Sequence, residues 1–262
     1  HSWAVLQGRC TPLWPFTVPH CIRSLGGVTV LFPLLERANT SKSLLLVVET
    51  ICSIIRRNPR NTAHMEKHKG YPLLGLLLYR KANLITHEVA NALAGLSGFR
   101  LIDAAAASDT TGIVANIPLT RDVLLNFDIW KSTHNVTLQK ALMVSLTSLL
   151  SNNEYALFNA HRLHALHLLP RLLFLLKDET LDEDVIPLIM DLAEQYLLKA
   201  IDIEEVKYWC SFTHSVLPTP RKGTPHNLNP STIKLCDHLL QCTIRLLIIP
   251  GNHRRSIGKF IT

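Results

Sequence analysis

Short leucine-rich segments recur along this chain, and each is followed by a longer amphipathic segment. The leucine-rich segments are marked by Pro33, Pro72, Leu124 and Arg171, which are separated by 39, 52 and 47 residues. A loose period of about 40–47 residues, with two or three helices in each unit, is typical of armadillo and HEAT repeats. A helix pair with an apolar face cannot bury that face alone, so successive units stack. The repeat therefore predicts an α-solenoid of about four units, and the alternative is an irregular helical bundle.

The helical period dominates the chain from Ser24 onward. Apolar residues make up 47% of the sequence and aromatic residues only 6%, and no run alternates as a strand would. We therefore predict an all-α fold. Ser41 is the predicted N-cap of the first long helix, Gly70 is expected to end a short helix over residues 61–69, and residues 98–118 are expected to form an inserted loop. The predicted long helices are Lys42–Arg57, Leu84–Ser97, Asn135–Leu150 and Asp184–Lys199, and Leu119–Trp130 is predicted as one continuous helix.

Proline clusters divide the chain into four parts. Residues 1–21 are predicted to be an irregular Pro- and Trp-rich junction, because proline at this density opposes helix formation. Residues 22–216 form the predicted armadillo-like domain. Residues 217–230 are a predicted Pro-rich loop, and residues 231–262 a terminal helix with a basic tail. Since residue 1 is His rather than Met, we expect the chain to be part of a longer protein.

Cysteine usage and hydropathy indicate a compartment. The six cysteines include no CxxC pair, which favours a reduced intracellular environment. Each apolar run is shorter than the roughly 20 residues that a spanning helix needs, or is interrupted by charge. No signal peptide is seen at the N-terminus. We therefore expect a cytoplasmic protein.

Two groups of histidines are candidate sites. His64 and His68 stand at i and i+4 on one helix face and could bind zinc, but the intervening Glu is not where a zinc protease needs it and a third ligand is missing. A structural or solvent-facing pair is favoured. His161, His164 and His167 step by three and drift around their helix, so we interpret them as a polar edge. No phosphate-binding loop, dinucleotide motif or nucleophile elbow is found, and we predict neither a catalytic residue, nor a metal, nor a cofactor.

Basic residues cluster where predicted helices end. The chain carries 27 Lys and Arg against 20 Asp and Glu, a net charge of +7. If units stack, the basic residues align into an interaction ridge that suits anionic lipid, nucleic acid or an acidic peptide. Nucleic acid is disfavoured because no aromatic residues are interleaved for base stacking, and a solvated basic face is the simpler alternative. The predicted ridge consists of Arg56, Arg57, Arg60, Arg80 and Lys81.

Two segments resemble a known family. The run Leu25–Glu36, LGGVTVLFPLLE, is similar to the start of the armadillo-like region of neurobeachin-type BEACH proteins, in particular the neurobeachin-like branch, and Val123–Trp130, VLLNFDIW, is similar to a later part of that region. The resemblance implies a large cytoplasmic scaffold of vesicle trafficking, with pleckstrin-like, BEACH and WD-repeat modules elsewhere in its chain. We therefore expect a non-catalytic scaffold that binds protein partners along the solenoid, with peripheral membrane association or nucleic-acid binding as the alternative role.

Overall fold

The computed structural model describes residues 18–102, 112–151, 153–178, 180–200, 202–217 and 230–248. These residues form helices and no strand, as predicted. The helices are α1 Val18–Ser24, α2 Phe32–Arg37, α3 Ser41–Ile55, α4 Pro59–Lys67, α5 Gly70–Arg80, α6 His87–Ser97, α7 Ile117–Leu119, α8 Phe127–Lys131, α9 Val136–Ser151, α10 Ala156–Ala165, α11 Leu168–Leu175, α12 Ile186–Ala200, α13 Ile203–Val216 and α14 Pro230–Ile248. Two 3₁₀ turns (Val28–Leu31 and Ala82–Leu84) and a π-helical turn (Thr120–Leu124) complete them.

The helices are arranged in two layers that run along the chain. In the layer of long helices, α3 packs against α6, α9 against α12, and α12 against α14. In the second layer, α2 packs against α5, α5 against the π turn and α8, and α11 against α13. Each unit thus buries its apolar face against the next unit, which is the packing of an α-solenoid.

Hydrogen bonds between units follow the sequence period. Asn116 Nδ2 donates to Tyr71 Oη at 3.2 Å, and Val114 N donates to Asn159 Oδ1 at 3.0 Å, each bridging 45 positions. The most distant side-chain hydrogen bonds between described residues bridge 51 positions. A repeat of 40–50 residues in which each unit contacts its neighbours produces this limit. The predicted solenoid is confirmed.

Helix ends differ in detail from the prediction. The N-cap of α3 is Thr40 rather than Ser41, because Thr40 and Ser43 form a reciprocal capping box: Ser43 N donates to Thr40 Oγ1 and Thr40 N donates to Ser43 Oγ, both at 3.2 Å. The prediction that Gly70 ends a helix is wrong. Lys69 takes the left-handed conformation with φ 52°, and Gly70 begins α5, where a Cβ would lie 2.6 Å from Met65 Sδ.

The predicted helix Leu119–Trp130 is broken by the π turn. Trp130 Nε1 donates to the carbonyl oxygens of Val123 and Leu124 at 3.2 and 3.0 Å. Arg171, from the following unit, donates to the carbonyls of Arg121 and Leu125 at 3.0 and 3.1 Å. Backbone oxygens near the break are therefore satisfied by side chains, which removes the cost of leaving buried carbonyls unpaired.

The predicted loop at 98–118 is partly core. Phe99 and Val114 are buried, and Asn159 Nδ2 donates to Gly112 O at 3.0 Å. The two ends of this segment are thus packed and hydrogen-bonded, whereas residues 103–111 lie outside the described residues. An apolar residue in a loop-like sequence carries no periodic signal, so the burial could not be predicted from the pattern.

The ends of the chain are described only in part. Helix α1 begins at Val18, inside the segment predicted to be irregular, with Pro19 in its first turn, where a missing N–H costs nothing. Residues 1–17, most of the predicted loop 217–230 and the predicted basic tail after Ile248 lie outside the described residues. Within the described ranges, no single helix is long and apolar enough to cross a bilayer; Val18–Ser24 and Val28–Arg37 meet the length and hydropathy criteria only as a pair bent by 93°.

Candidate interaction groove

A groove of about 1600 Å³ runs between α3 and α6. Residues 98–102, which follow α6, form one wall, and residues 115–116 close part of the same side. The polar and charged side chains that line it are Glu49, Ser53, Arg56, Arg57, Thr62, His87, Glu88, Asn91, Arg100 and Asn116.

The floor of the groove is made where α3 and α6 approach closely. Cys52 Sγ lies 3.6 Å from the carbonyl oxygen of Ala92, and Gly95 faces the guanidinium of Arg56. The small side chains of Cys52 and Ala92 let the two helices come together and leave space above them. Burial raises the pKa of the Cys52 thiol to about 12, so this cysteine is an unreactive core residue.

The wall of the groove is fixed by hydrogen bonds to neighbouring helices. Leu101 N donates to Asn91 Oδ1 at 3.1 Å, which ties the wall to α6. Ile102 N donates to Ser145 Oγ at 2.8 Å, which ties it to α9. A wall held from two helices is pre-organised, so a ligand entering the groove does not have to order it.

Three exposed arginines line the groove. Arg56, Arg57 and Arg100 are exposed, and no Lys or Arg of residues 18–102 lies within 4.0 Å of a carboxylate of the described residues. Two acids, Glu49 and Glu88, also line the groove. A hydrogen bond from Thr86 lowers the pKa of Glu88. The groove thus offers three guanidinium groups for carboxylate or phosphate groups, which Arg binds in bidentate geometry.

The predicted ridge residues fall into separate places. Arg56 and Arg57 line the groove, whereas Arg60 is exposed in the first turn of α4. Arg80 and Lys81 precede the N-terminus of α6, and Arg56 lies beside Gly95 near its other end. The nine positions from Thr86 to Gly95 correspond to about 14 Å along the helix. The structure therefore brings two of the five residues together in the groove and leaves Arg80 and Lys81 at the opposite end of α6.

Arg100 is a groove residue that sequence reasoning missed. It lies in the segment predicted to be an inserted loop, and it reaches the groove because Gly98, with φ 107°, turns the chain back at the end of α6. A glycine after a helical run is a recognisable C-cap, but the return of the chain toward α3 has no sequence signal.

A second polar cluster joins α10, α12 and α13. His164 Nδ1 lies 3.0 Å from Tyr196 Oη and 3.1 Å from Glu205 Oε1, and its Nε2 lies 3.3 Å from Asp202 Oδ2. Tyr196 Oη donates to Glu205 Oε1 at 2.8 Å. Glu205 is 2% exposed, and burial raises its pKa. His164 is therefore half-buried in a network between helices, whereas His161, predicted with it as a polar edge, is exposed.

The other histidine pair packs against the start of the domain. The rings of His64 and His68 are 4.3 Å apart, and a Cβ at Gly27 would lie 2.4 Å from His64 Nδ1. Burial and the neighbouring His68 lower the pKa of His64. Within the part of the chain that the structure describes, no group of three or more His, Cys, Asp or Glu side chains is arranged to hold a metal ion.

Stacked helical units in two layers, with hydrogen bonds that repeat at the unit length, define an α-solenoid. The family model described as "Neurobeachin/BDCP, DUF4704 alpha solenoid region" matches residues 16–178. The chain belongs to this family, which confirms the resemblance to neurobeachin-type BEACH proteins.

Three relatives are considerably longer than this chain. Beige protein homolog 1 of Schizosaccharomyces pombe is 26% identical over 207 residues, which cover 79% of this chain and 8% of that protein. WD repeat- and FYVE domain-containing protein 4 is 26% identical in Homo sapiens and 27% in Mus musculus, in both over 161 residues that cover 60% of this chain and 5% of that protein. The matched regions span less than a tenth of these relatives. No solved structure matches the chain significantly.

Proposed function

We propose that this solenoid is a non-catalytic scaffold region of a large BEACH-type protein, and that it holds protein partners for vesicle trafficking on the cytoplasmic side of intracellular membranes. Membership in the neurobeachin solenoid family supports the parent protein class. A solenoid presents an extended surface on a rigid stack, which is the use that other repeat proteins make of this architecture.

The observation that carries this proposal is the groove between α3 and α6. Its wall is fixed by hydrogen bonds, and Arg56, Arg57 and Arg100 in its lining have no carboxylate partner within the described residues. A pre-organised concave site with exposed guanidinium groups is suited to a segment of another protein that carries carboxylates.

Affinity capture from cytosol tests the groove. The Arg56→Glu/Arg57→Glu variant is expected to lose the partners that the wild-type chain retains, by at least about tenfold, because each substitution replaces attraction by repulsion at a desolvated contact. The matched control is Arg80→Glu/Lys81→Glu, which changes the net charge equally at the other end of α6 and is expected to retain them. Identical partner sets for the wild type and both variants would exclude the groove as the binding site.

A second candidate role is that of a basic adaptor on anionic membranes or nucleic acid. It is favoured by the charge of residues 18–102, which contain eleven Lys and Arg against four Asp and Glu. Counterion release makes both kinds of binding strongly dependent on salt. RNA binding across a salt series tests the nucleic-acid form of this role, and binding that is absent at low salt rules it out.

A further inference from the structure

Short helices of the solenoid present equivalent positions to the outside. In α2 and α5, the residue after the proline is exposed: Leu34 by 53% and Leu73 by 42%. The next residue, Leu35 or Leu74, is buried in both helices. Since α2 packs against α5, the repeat places an exposed leucine at the equivalent position of two neighbouring helices.

Helix α5 continues this exposed surface along its length. Positions 69, 73, 76 and 80 are spaced by four, three and four residues and therefore form one stripe on the helix. Leu76 is 47% exposed and the adjacent Tyr79 48%, whereas Tyr71 and Leu78 on the opposite side are buried. We call this surface the α2–α5 face. It consists of the apolar residues Leu34, Leu73, Leu76 and Tyr79 and the cations Arg37, Lys69 and Arg80.

Packing fixes the rotation of α5 about its own axis. At Gly75, a Cβ would lie 2.6 Å from the carbonyl oxygen of Asp122, so the buried side of α5 is held directly against the π turn. The helix cannot rotate to bury Leu73 or Leu76 without losing this approach. The apolar side chains of the α2–α5 face are therefore held outward by the core of the molecule.

The α2–α5 face combines apolar anchors with exposed cations. Arg37, Lys69 and Arg80 are exposed, and none lies within 4.0 Å of a carboxylate of the described residues. Glu36 is the exposed acid of α2. Leucine and tyrosine side chains surrounded by long basic side chains are typical of surfaces that bind at the membrane–water interface. There the aliphatic parts of Lys and Arg lie at the lipid boundary and their charged groups reach the headgroups.

We propose that the α2–α5 face docks on the surface of an anionic membrane. Charge complementarity selects an anionic partner, and a lipid surface is favoured over a peptide because the anchors stand on the outside of two helices and do not line the groove. This inference rests on the second candidate role, binding to anionic membranes, and assigns that contact to a face that is separate from Arg56 and Arg57. Its failure would leave partner binding in the groove intact.

Vesicle co-sedimentation of the 262-residue chain tests the proposal. Binding to vesicles with about 30% phosphatidylserine is expected to exceed binding to neutral phosphatidylcholine vesicles by at least about tenfold at low salt. The Leu73→Glu/Leu76→Glu variant should lose at least about tenfold. The control is Leu46→Glu, at an exposed leucine of α3 within the basic residues 18–102. This glutamate lies outside the α2–α5 face, so it should change vesicle binding by less than about twofold.

A second variant keeps the test independent of folding. Lys69→Gln/Arg80→Gln removes two exposed charges without touching an apolar contact, and it is expected to weaken binding by about tenfold or more at low salt, and by less as salt rises. Equal binding to neutral and anionic vesicles, or equal binding by wild type and both variants, would overturn the proposal. A wild-type dimer that dissociates in Leu73→Glu/Leu76→Glu would also overturn it, since the face would then bind a second copy. The same holds if this variant loses a captured cytosolic protein while its vesicle binding is unchanged.

Discussion

Glu205 is a buried carboxyl group whose two oxygens have different environments. Oε1 accepts a hydrogen bond from Tyr196, whereas Oε2 is buried without a hydrogen-bond partner. Burial disfavours the ionised form, which raises the pKa of Glu205, and the facing groups His164 and Tyr196 oppose that effect while Asp202 adds to it. The protonated carboxyl group is therefore the form that the folded state accommodates better.

The raised pKa of Glu205 predicts a pH dependence. A group whose pKa is higher in the folded state stabilises it fully below the unfolded pKa, and this contribution is lost as pH rises through the folded pKa. Replacing Glu205 by Gln, which imitates the protonated form, removes that loss. The stability of Glu205→Gln relative to wild type should therefore rise as pH increases above the ordinary glutamate pKa of about 4.

Urea denaturation at several pH values measures this difference. Glu204→Gln is the matched control, since Glu204 is an exposed neighbour on the same turn of α13 that pairs with Lys207 at 2.7 Å. Its relative stability should change little over the same range. A Glu205→Gln variant that becomes progressively less stable than wild type as pH rises would show that the ionised carboxylate is the stabilising form.

Residue-level details were predictable only where the signal is local. Cys52 lies in an apolar helical run, so its burial follows from the sequence. The partners of His164 stand 32 and 41 positions away, in units whose packing the pattern does not specify. The spacing of the three histidines suggests one polar edge. His161 and His167 are indeed exposed, whereas His164 is half-buried between helices.

At the scale of single elements, glycine sets how closely neighbouring units approach. Gly75 lies in α5 where the backbone of Asp122 comes nearest, and a Cβ there would be 2.6 Å from a carbonyl oxygen. Gly95 in α6 is different, because its nearest neighbour is Arg56 Nη2 at 3.6 Å, an ordinary contact. The first glycine is required by packing between units and the second is not.

Substituting these two glycines by alanine should therefore have opposite effects. Gly75→Ala is expected to lower the free energy of unfolding by about 1–3 kcal/mol, because α5 and the π turn must move apart. Gly95→Ala should raise it by about 0.5–1 kcal/mol, since alanine favours the helix and has room. Chemical denaturation of the two variants measures both. A neutral or stabilising Gly75→Ala would contradict the close approach between α5 and the π turn.

Element boundaries were predicted best where a helix stands between clear signals. Helix α9 runs from Val136 to Ser151, one residue later at each end than the predicted Asn135–Leu150, and Asn135 Oδ1 accepts a hydrogen bond from Leu138 N at 3.1 Å at its start. The break within Leu119–Trp130 was not predicted, because an unbroken apolar run carries no stop signal. The break depends on hydrogen bonds from Trp130 and Arg171, and Arg171 comes from the following unit.

The whole molecule is electrostatically asymmetric. Residues 18–102 carry a net charge of +7, whereas residues 180–217 contain two Lys against eight Asp and Glu. The acidic part is partly neutralised within the fold, since Glu183 pairs with Lys234 and Asp184 with Lys140, at 2.6 and 2.7 Å. The basic part has no such pairs among the described residues. Attraction for anionic partners therefore concentrates in the N-terminal units, where the groove and the α2–α5 face lie.

The architecture at this scale followed from one sequence property. The spacing of the leucine-rich segments predicts units of about 40–47 residues, and hydrogen bonds between units bridge 45 positions from Asn116 to Tyr71 and 51 from Arg245 to Glu194. The surface was harder to predict. Whether Arg56 and Lys81 share a ridge depends on the direction and length of α6, and only the packed structure separates them.

The stacking of units can be measured as a distance between spin labels. The label pairs are Leu46→Cys on α3 with Glu88→Cys on α6, and Leu46→Cys with Gln241→Cys on α14, in a chain whose Cys10, Cys21 and Cys210 are replaced by serine. Neighbouring helices pack about 8–10 Å apart, and α14 follows α6, α9 and α12 in the layer of long helices. Double electron–electron resonance should therefore give a distance below about 20 Å for the first pair and above about 30 Å for the second. Distances below about 20 Å for both pairs would show a compact bundle and contradict the solenoid.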